Sequence, residues 1–177
     1  MATVIRNRQV AADNWQLLKP AADGSLPPVP QAGDVIVPLT FWLEQREVLR
    51  SRAGRLGVWL DSHEEPAAIA GDLDRFALVA VNFPAFGDGR GYSIARLLRE
   101  RYGYQGELRA IGEVVRDHLF FMASCGFDAF LLRDDQDAEE ALTAFGDFSD
   151  AYQTSIARPL PLFRRRFLAA PDCMEWS

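Results

Sequence analysis

The sequence contains few residues that could hold a redox centre. Its 177 residues include only two cysteines, Cys125 and Cys173, which do not form a C-x-x-C pair. Two thiolates cannot supply the four ligands of an ordinary iron–sulfur cluster. The C-x-x-C-H motif of c-type haem is also missing. We therefore predict no iron–sulfur, c-type haem or metal site within this chain.

Long apolar runs and a basic surface are lacking as well. No stretch approaches the 18 apolar residues of a membrane span, and the first eight residues have no signal-peptide core. We predict a cytoplasmic protein that does not enter a membrane, a location that the low cysteine content fits. The formal net charge of -6 argues against a broad basic surface for nucleic acid.

What the chain does have is enough apolar sequence for one core. Hydrophobic residues make up 49% of it, which is typical of a globular domain. The position of prolines and glycines predicts three parts. Residues 1–33 form an N-terminal hairpin and a proline-rich strap, residues 34–150 form an α/β domain, and residues 151–177 form a C-terminal tail.

Within residues 34–150, short apolar runs alternate with helical patterns. The runs are 35–37, 56–60, 76–81, 107–111 and 127–132. Nearly unbroken apolar strands separated by helices are typical of parallel sheets that are covered on both faces. We predict an α/β fold with a mostly parallel sheet of about five strands and helices on both faces. A partial β/α barrel is the alternative, since a closed barrel normally needs eight units.

Ligands of parallel sheets gather at the carboxyl ends of the strands. Among the connections at these strand ends, the glycine-rich segment, residues 83–93, is the longest and the richest in glycine. Glycine at every second position lets successive N–H groups form a concavity that suits an anion, and Arg90 and Arg96 add positive charge. The segment matches neither the dinucleotide pattern nor the P-loop. Its alternative interpretation is a plain connection that folds Phe83 and Phe86 onto the core.

Three residues near these strand ends are candidates for proton transfer. They are Asp88, Tyr92 and His63, the last lying in the acidic turn Asp61–Glu65. Histidine beside a carboxylate suits a general base. A solvated turn is the alternative for His63.

Three segments together resemble a bacterial domain-of-unknown-function family. They are Asn82-Phe-Pro-Ala-Phe-Gly-Asp-Gly-Arg-Gly-Tyr-Ser-Ile-Ala-Arg-Leu-Leu-Arg, Tyr104-Gln-Gly-Glu-Leu-Arg-Ala-Ile-Gly and Cys125-Gly-Phe-Asp-Ala-Phe. The family is labelled as oxidoreductases involved in sulfite reduction, and its genes commonly lie beside those for sulfite reductase and phosphoadenylyl-sulfate reductase. The resemblance covers residues 34–148, and it supplies no established catalytic set. The candidate ligand-binding residues are Asn82, Phe83, Gly87, Asp88, Gly89, Arg90, Gly91, Tyr92, Ser93, Arg96 and Arg109.

The resemblance implies a role in assimilatory sulfur metabolism. We expect an accessory protein or an oxidoreductase of sulfite reduction, with a sulfite reductase subunit as partner and a small anion at the glycine-rich segment. Sulfite reductase uses a siroheme and an iron–sulfur centre, so a chain with two cysteines fits an assisting role better. The alternatives are a stand-alone α/β enzyme for a small anionic metabolite and a purely structural interaction protein. The residues assign neither a cofactor nor an oligomeric state.

Overall fold

The structure, a computed structural model, describes residues 3–21, 24–25 and 28–146. Its strands are β1 (Thr3–Arg6), β2 (Gln9–Ala12), β3 (Gln16–Leu17), β4 (Val35–Pro38), β5 (Leu56–Leu60), β6 (Leu78–Phe83), β7 (Glu107–Gly112) and β8 (Ala129–Phe130). They form one sheet in the order β2-β1-β8-β7-β6-β5-β4-β3. Strands β3 to β8 are parallel, and β1 is antiparallel to both β2 and β8.

Short helices connect the parallel strands. They are α1 (Leu39–Ser51), α2 (Arg90–Arg96), α3 (Leu119–Ser124) and α4 (Ala138–Leu142), with 3-10 segments at Pro66–Arg75, Arg116–His118 and Thr143–Phe145 and a π-helical turn at Leu97–Arg101. Helix α4 begins where the Asp137 carboxylate accepts a hydrogen bond from the Glu140 N–H at 2.8 Å, a typical N-cap. Within the described ranges, no helix is both long and apolar enough to cross a membrane.

The N-terminal hairpin is short and ends at Ala12. Strands β1 and β2 are joined by a two-residue turn in which Asn7 and Arg8 have φ of 50° and 61°. Two positive φ values are typical of a type I′ turn, which matches the twist of the flanking strands. The second strand of the hairpin is therefore Gln9–Ala12. Residues Gln16–Leu17 do not join the hairpin and form β3 at the opposite edge of the sheet.

The connection between the two edge strands requires the sheet to curl. Only residues 13–15 separate β2 from β3, although these strands stand at opposite edges. Four Cα steps span at most about 14 Å. The edges of a flat eight-stranded sheet would be about 34 Å apart. The sheet therefore bends into a half-barrel that brings its edges together.

The observed order corrects the predicted open sheet of about five strands with helices on both faces. From β3 to β8 each parallel strand lies beside its predecessor in the chain. Right-handed crossovers that always step in one direction leave all helices on one face. Consistently, the large core contains residues of all four α-helices, whereas the core of the other face contains residues of strands and loops. The fold is α/β, and the alternative of a partial barrel describes it better.

The concave face of the half-barrel is filled by residues of the strands and by Trp15. Trp15 packs there with Ile36, Leu78, Ala80 and Ile111. The first residues of the chain are therefore part of the same sheet and core as the α/β region. The predicted tail, residues 151–177, lies outside the described residues.

Candidate functional site

The glycine-rich segment lies at the carboxyl edge of the sheet, as predicted, but its glycines serve another purpose. None of Gly87, Gly89 and Gly91 has a positive φ. Gly91 is buried against the ring of Phe83, where an added Cβ would lie 2.6 Å from the nearest ring atom. Helix α2 begins directly after Gly89, so Ser93 is an exposed residue inside the helix and does not cap it. Gly91 is therefore needed because even a methyl side chain would clash with the Phe83 ring.

The Asp88 carboxylate occupies the position that the sequence assigns to an external anion. Its oxygens accept hydrogen bonds from the Arg90 Nε at 2.9 Å, the Arg90 Nη2 at 2.6 Å and the Arg90 backbone N–H at 3.1 Å. The guanidinium predicted to hold a ligand is therefore already paired. Any anion bound here would have to displace Asp88.

The same contacts set the protonation states at this loop. Hydrogen bonds from Arg90 hold the pKa of Asp88 well below its usual range. Burial raises the pKa of the Tyr92 hydroxyl above its usual value. Near neutral pH, Asp88 stays ionised, but its lowered pKa makes it a weak base, and Tyr92 stays protonated, so neither group suits the role of proton acceptor.

A second polar group forms where β5 and β6 end. The Asp61 carboxylate accepts a hydrogen bond from the Asn82 amide at 3.2 Å and from the Ser62 backbone N–H at 2.7 Å. Its other oxygen lies 3.6 Å from Nδ1 of His63, whose side chain is largely exposed. The Glu64 carboxylate closes the turn by accepting from the Asp61 N–H at 2.7 Å. Asp61 is therefore the centre of the polar contacts in this turn.

Next to the loop lies an exposed group of rings, here called the aromatic surface. It consists of Phe86, Tyr92, His118 and Phe121. The Phe86 and His118 ring centroids are 4.4 Å apart, and those of Tyr92 and Phe121 are 4.8 Å apart in an edge-to-face arrangement. Phe86 and Phe121 are 62% and 52% exposed. Phe83 does fold onto the core, as the alternative interpretation expects, but Phe86 does not.

Two predicted ligand-binding residues do not join this site. Arg109 is fully buried on the concave face, where it donates to Asp13 at 2.8 Å and to Glu107 at 2.9 Å. Its place between the small residues Ala80 and Ala129 on neighbouring strands leaves room for the long side chain. Arg96 is exposed on α2. Arg109 therefore has a structural role, which corrects its assignment as a ligand-binding residue.

The aromatic surface was missed by reasoning from the sequence. Phe121 follows His118 by three residues, so both lie on one side of their helical segment. A helix that carries Phe120, Phe121 and Met122 in succession has more apolar residues than one face can bury, and this was the available signal. No local pattern shows that Phe86 is exposed. Among the described residues, no group of three or more metal-ligating side chains is arranged to hold an ion.

Comparison with known proteins identifies a bacterial family. The family described as "Bacterial protein of unknown function (DUF934)" matches residues 57–163, which is 107 of the 177 residues. The matched range contains the glycine-rich segment, the Asp61 turn and the aromatic surface. No curated protein matches the chain.

Proposed function

The chain belongs to the DUF934 family of bacterial proteins, and we propose that it is an accessory component of assimilatory sulfite reduction that docks to a reductase subunit. The resemblance described above supports the link to sulfite reduction. The observation that carries the docking role is the aromatic surface beside the glycine-rich loop.

Exposed phenylalanines at this density favour contact with another protein. Phe86 and Phe121 each leave more than half of their surface in water, which is unfavourable for large apolar side chains. Aromatic residues are enriched in the cores of interfaces and among the residues that dominate binding energy. The ring contacts with His118 and Tyr92 hold both side chains in place before binding, which lowers the entropy lost on association.

The charges around this surface support docking over binding of a small anion. Arg90 is paired with Asp88, and Arg133 is paired with Asp135 at 2.6 Å and with Glu113 at 2.8 Å. These two cations are therefore neutralised by neighbouring carboxylates. A protein partner would therefore contact the aromatic surface next to charged groups that are already paired.

Growth on defined sulfur sources tests the proposal. A strain that lacks the gene should fail to grow on sulfate and on sulfite but should grow on sulfide and on cysteine. This pattern assigns the defect to the step from sulfite to sulfide. Normal growth of the deletion strain on sulfite would refute the proposal.

Variants then test the surface itself. The double variant Phe86→Ser and Phe121→Ser should fail to restore growth and should lose copurification with the reductase subunit. Leu43→Ser is the matched control, because Leu43 is 45% exposed on α1, the helix that follows β4, which is two strands from β6 in the sheet. The control should restore both. A folded double variant with full activity in cells would show that the aromatic surface is not the docking site.

A stand-alone enzyme is the second candidate, and the Asp61–His63 contact favours it. A carboxylate 3.6 Å from Nδ1 can orient an imidazole for proton transfer. His63→Ala separates the two candidates, because an accessory protein should keep its function without this side chain. Loss of growth on sulfite with a folded His63→Ala protein would favour the enzyme.

A further inference from the structure

Arginine side chains line a cavity at the edge of the sheet opposite to the glycine-rich loop. The cavity has a volume of about 450 Å³ and lies where the chain enters β5 and β6. Four guanidinium groups and one carboxylate line it, together with the Trp42 ring. These charged groups are Arg50, Arg52, Arg55, Arg75 and Asp74. Such a lining is unusual in a chain with a net charge of -6.

The cations here outnumber the carboxylates that contact them. Arg46, Arg50 and Arg75 all approach the single carboxylate of Asp72, with N–O distances of 3.5, 3.3 and 3.5 Å. These contacts are longer than those of a well-formed ion pair. Arg50 also contacts Glu47, whose side chain is 85% exposed. Three guanidinium groups sharing one buried carboxylate leave a local excess of positive charge.

Two buried hydrogen-bond donors beside the cavity lack acceptors. Trp42 is fully buried, and its Nε1 has no hydrogen-bond partner in the part of the chain that the structure describes. The Nε of Arg46 is also buried and has no hydrogen-bond partner there. The guanidinium carbons of Arg46 and Arg50 lie 5.8 and 5.9 Å from the Trp42 ring centroid. Buried donors nearly always have an acceptor in protein or in ordered water, so these two donors need an acceptor that the described residues do not supply.

Arg52 and Arg55 form the wall of the cavity and are not available to a ligand. Arg52 donates to the backbone oxygens of Pro30 and Gly33 at 3.0 and 2.7 Å. Arg55 pairs with Asp34 through contacts of 2.6 and 3.0 Å. Arg50 donates through Nη1 to the exposed Glu47 at 2.9 Å and has a long contact through Nη2 to Asp72 at 3.3 Å. Arg75 has only the long contact to Asp72, so both arginines, with side chains 34% and 48% exposed, keep donors for a ligand.

We propose that this cavity binds a small ligand through a tetrahedral oxyanion group, a sulfate or a phosphate, either free or as an ester. Guanidinium forks match the geometry of such oxygens, and an oxyanion supplies acceptors without adding a donor. The volume lies in the range of small-molecule sites. The site is separate from the proposed docking surface, since it lies at the other edge of the sheet.

Calorimetric titration of the full chain with inorganic pyrophosphate and with sodium sulfate, at ionic strength matched with KCl, tests the site. We expect saturable binding to the wild-type protein. Arg50→Gln and Arg75→Gln should each weaken it by roughly tenfold or more, because each removes a charge-assisted hydrogen bond. Trp42→Phe should weaken it less, since it removes only one neutral donor. Circular dichroism melts verify that each variant is folded.

Arg101→Gln is the matched control, because it changes the net charge equally at an exposed arginine that contacts Tyr102. It should leave binding unchanged. If Arg50→Gln does not fold, Arg50→Lys keeps the charge without the fork and should still weaken binding. No saturable binding of either probe, or equal weakening by Arg101→Gln, would overturn the proposal. Loss of binding in Arg90→Gln with normal binding in Arg50→Gln would place the anion at the glycine-rich loop instead.

Discussion

Replacing Arg109 by methionine should destabilise the whole half-barrel. Arg109 is the cation between Asp13, in the connection of β2 to β3, and Glu107 on its own strand. Its side chain is 1% exposed and that of Asp13 is 5% exposed. Glu107 keeps a second partner in Arg6 at 2.8 Å. The cost of the substitution therefore falls mainly on Asp13, which is left buried and charged without a cation.

Removing one partner of a buried ion pair typically costs about 3–5 kcal/mol. For a chain of this length, that corresponds to a decrease in Tm of about 6–20 °C. Urea unfolding followed by circular dichroism measures the change in the free energy of unfolding. The double variant Asp13→Asn and Arg109→Met should recover part of the loss, because it removes the unpaired charge.

Arg55→Met is the control for an ion pair of similar geometry at the surface. Arg55 contacts Asp34 at 2.6 Å, but its side chain is 63% exposed. Exposed pairs contribute about 0–1 kcal/mol, so this variant should unfold almost like the wild type. A loss below about 1 kcal/mol for Arg109→Met, or purely additive losses in the double variant, would refute the idea that this buried pair holds the connection across the concave face.

Two further predictions concern packing near the carboxyl edge. Gly91→Ala should destabilise the protein by about 1–3 kcal/mol through overpacking against Phe83. Gly87→Ala is the control, because Gly87 has open space around it, and it should change the free energy of unfolding little. Equal effects of the two substitutions in urea unfolding would contradict the packing role of Gly91. Burial raises the pKa of the Cys125 thiol. In a Cys173→Ser protein, where Cys125 is the remaining thiol, the reaction with iodoacetamide should be slow at pH 7 and faster as the pH rises. Rapid labelling of the folded protein at pH 7 would contradict this prediction.

The central strands of the sheet were predictable from the sequence because their signal is local. The apolar runs 56–60 and 107–111 correspond to β5 and β7 within one residue. These strands are covered on both faces, so most of their positions are apolar, with Glu107 and Arg109 of β7 as the charged exceptions. The run 127–132 illustrates the limit, since only Ala129–Phe130 pairs as a strand. Apolar residues that follow a strand can be buried without joining the ladder.

The curl of the sheet could not be predicted from local pattern. It depends on a contact between Asp13 and Arg109, which are 96 residues apart. It also depends on β3, in which only Gln16 and Leu17 pair with β4. Two residues carry no periodicity that distinguishes a strand from a loop. The strand order, and with it the half-barrel, is set by these long-range contacts.

The glycine-rich loop lies at the carboxyl edge of the sheet, as the sequence predicts, but the pairing of its charged side chains was not predicted. Ligands of parallel sheets bind at the carboxyl ends of the strands. This rule, together with the glycine-rich composition, pointed to residues 83–93. Whether a loop arginine faces a ligand or a neighbour depends on side-chain geometry, and here Arg90 turns back to Asp88 two residues earlier. The cluster at the other edge had a visible signal, since four arginines lie within residues 46–55. The spacing of these arginines in the sequence did not show that several guanidinium groups would share the carboxylate of Asp72.

The two edges of the sheet therefore differ in how their charges are balanced, and this difference separates the two proposals. At the carboxyl edge Asp88 neutralises Arg90 at 2.6 Å, and what remains exposed is aromatic. At the amino edge one carboxylate serves three guanidinium groups. An aromatic surface whose neighbouring charges are paired favours a protein partner, whereas a cavity with more cations than carboxylates favours an oxyanion. Arg50→Gln should thus impair pyrophosphate binding while the reductase subunit still copurifies, and the double variant Phe86→Ser and Phe121→Ser should do the reverse. Loss of both properties in each folded variant would show that the edges do not act as separate sites.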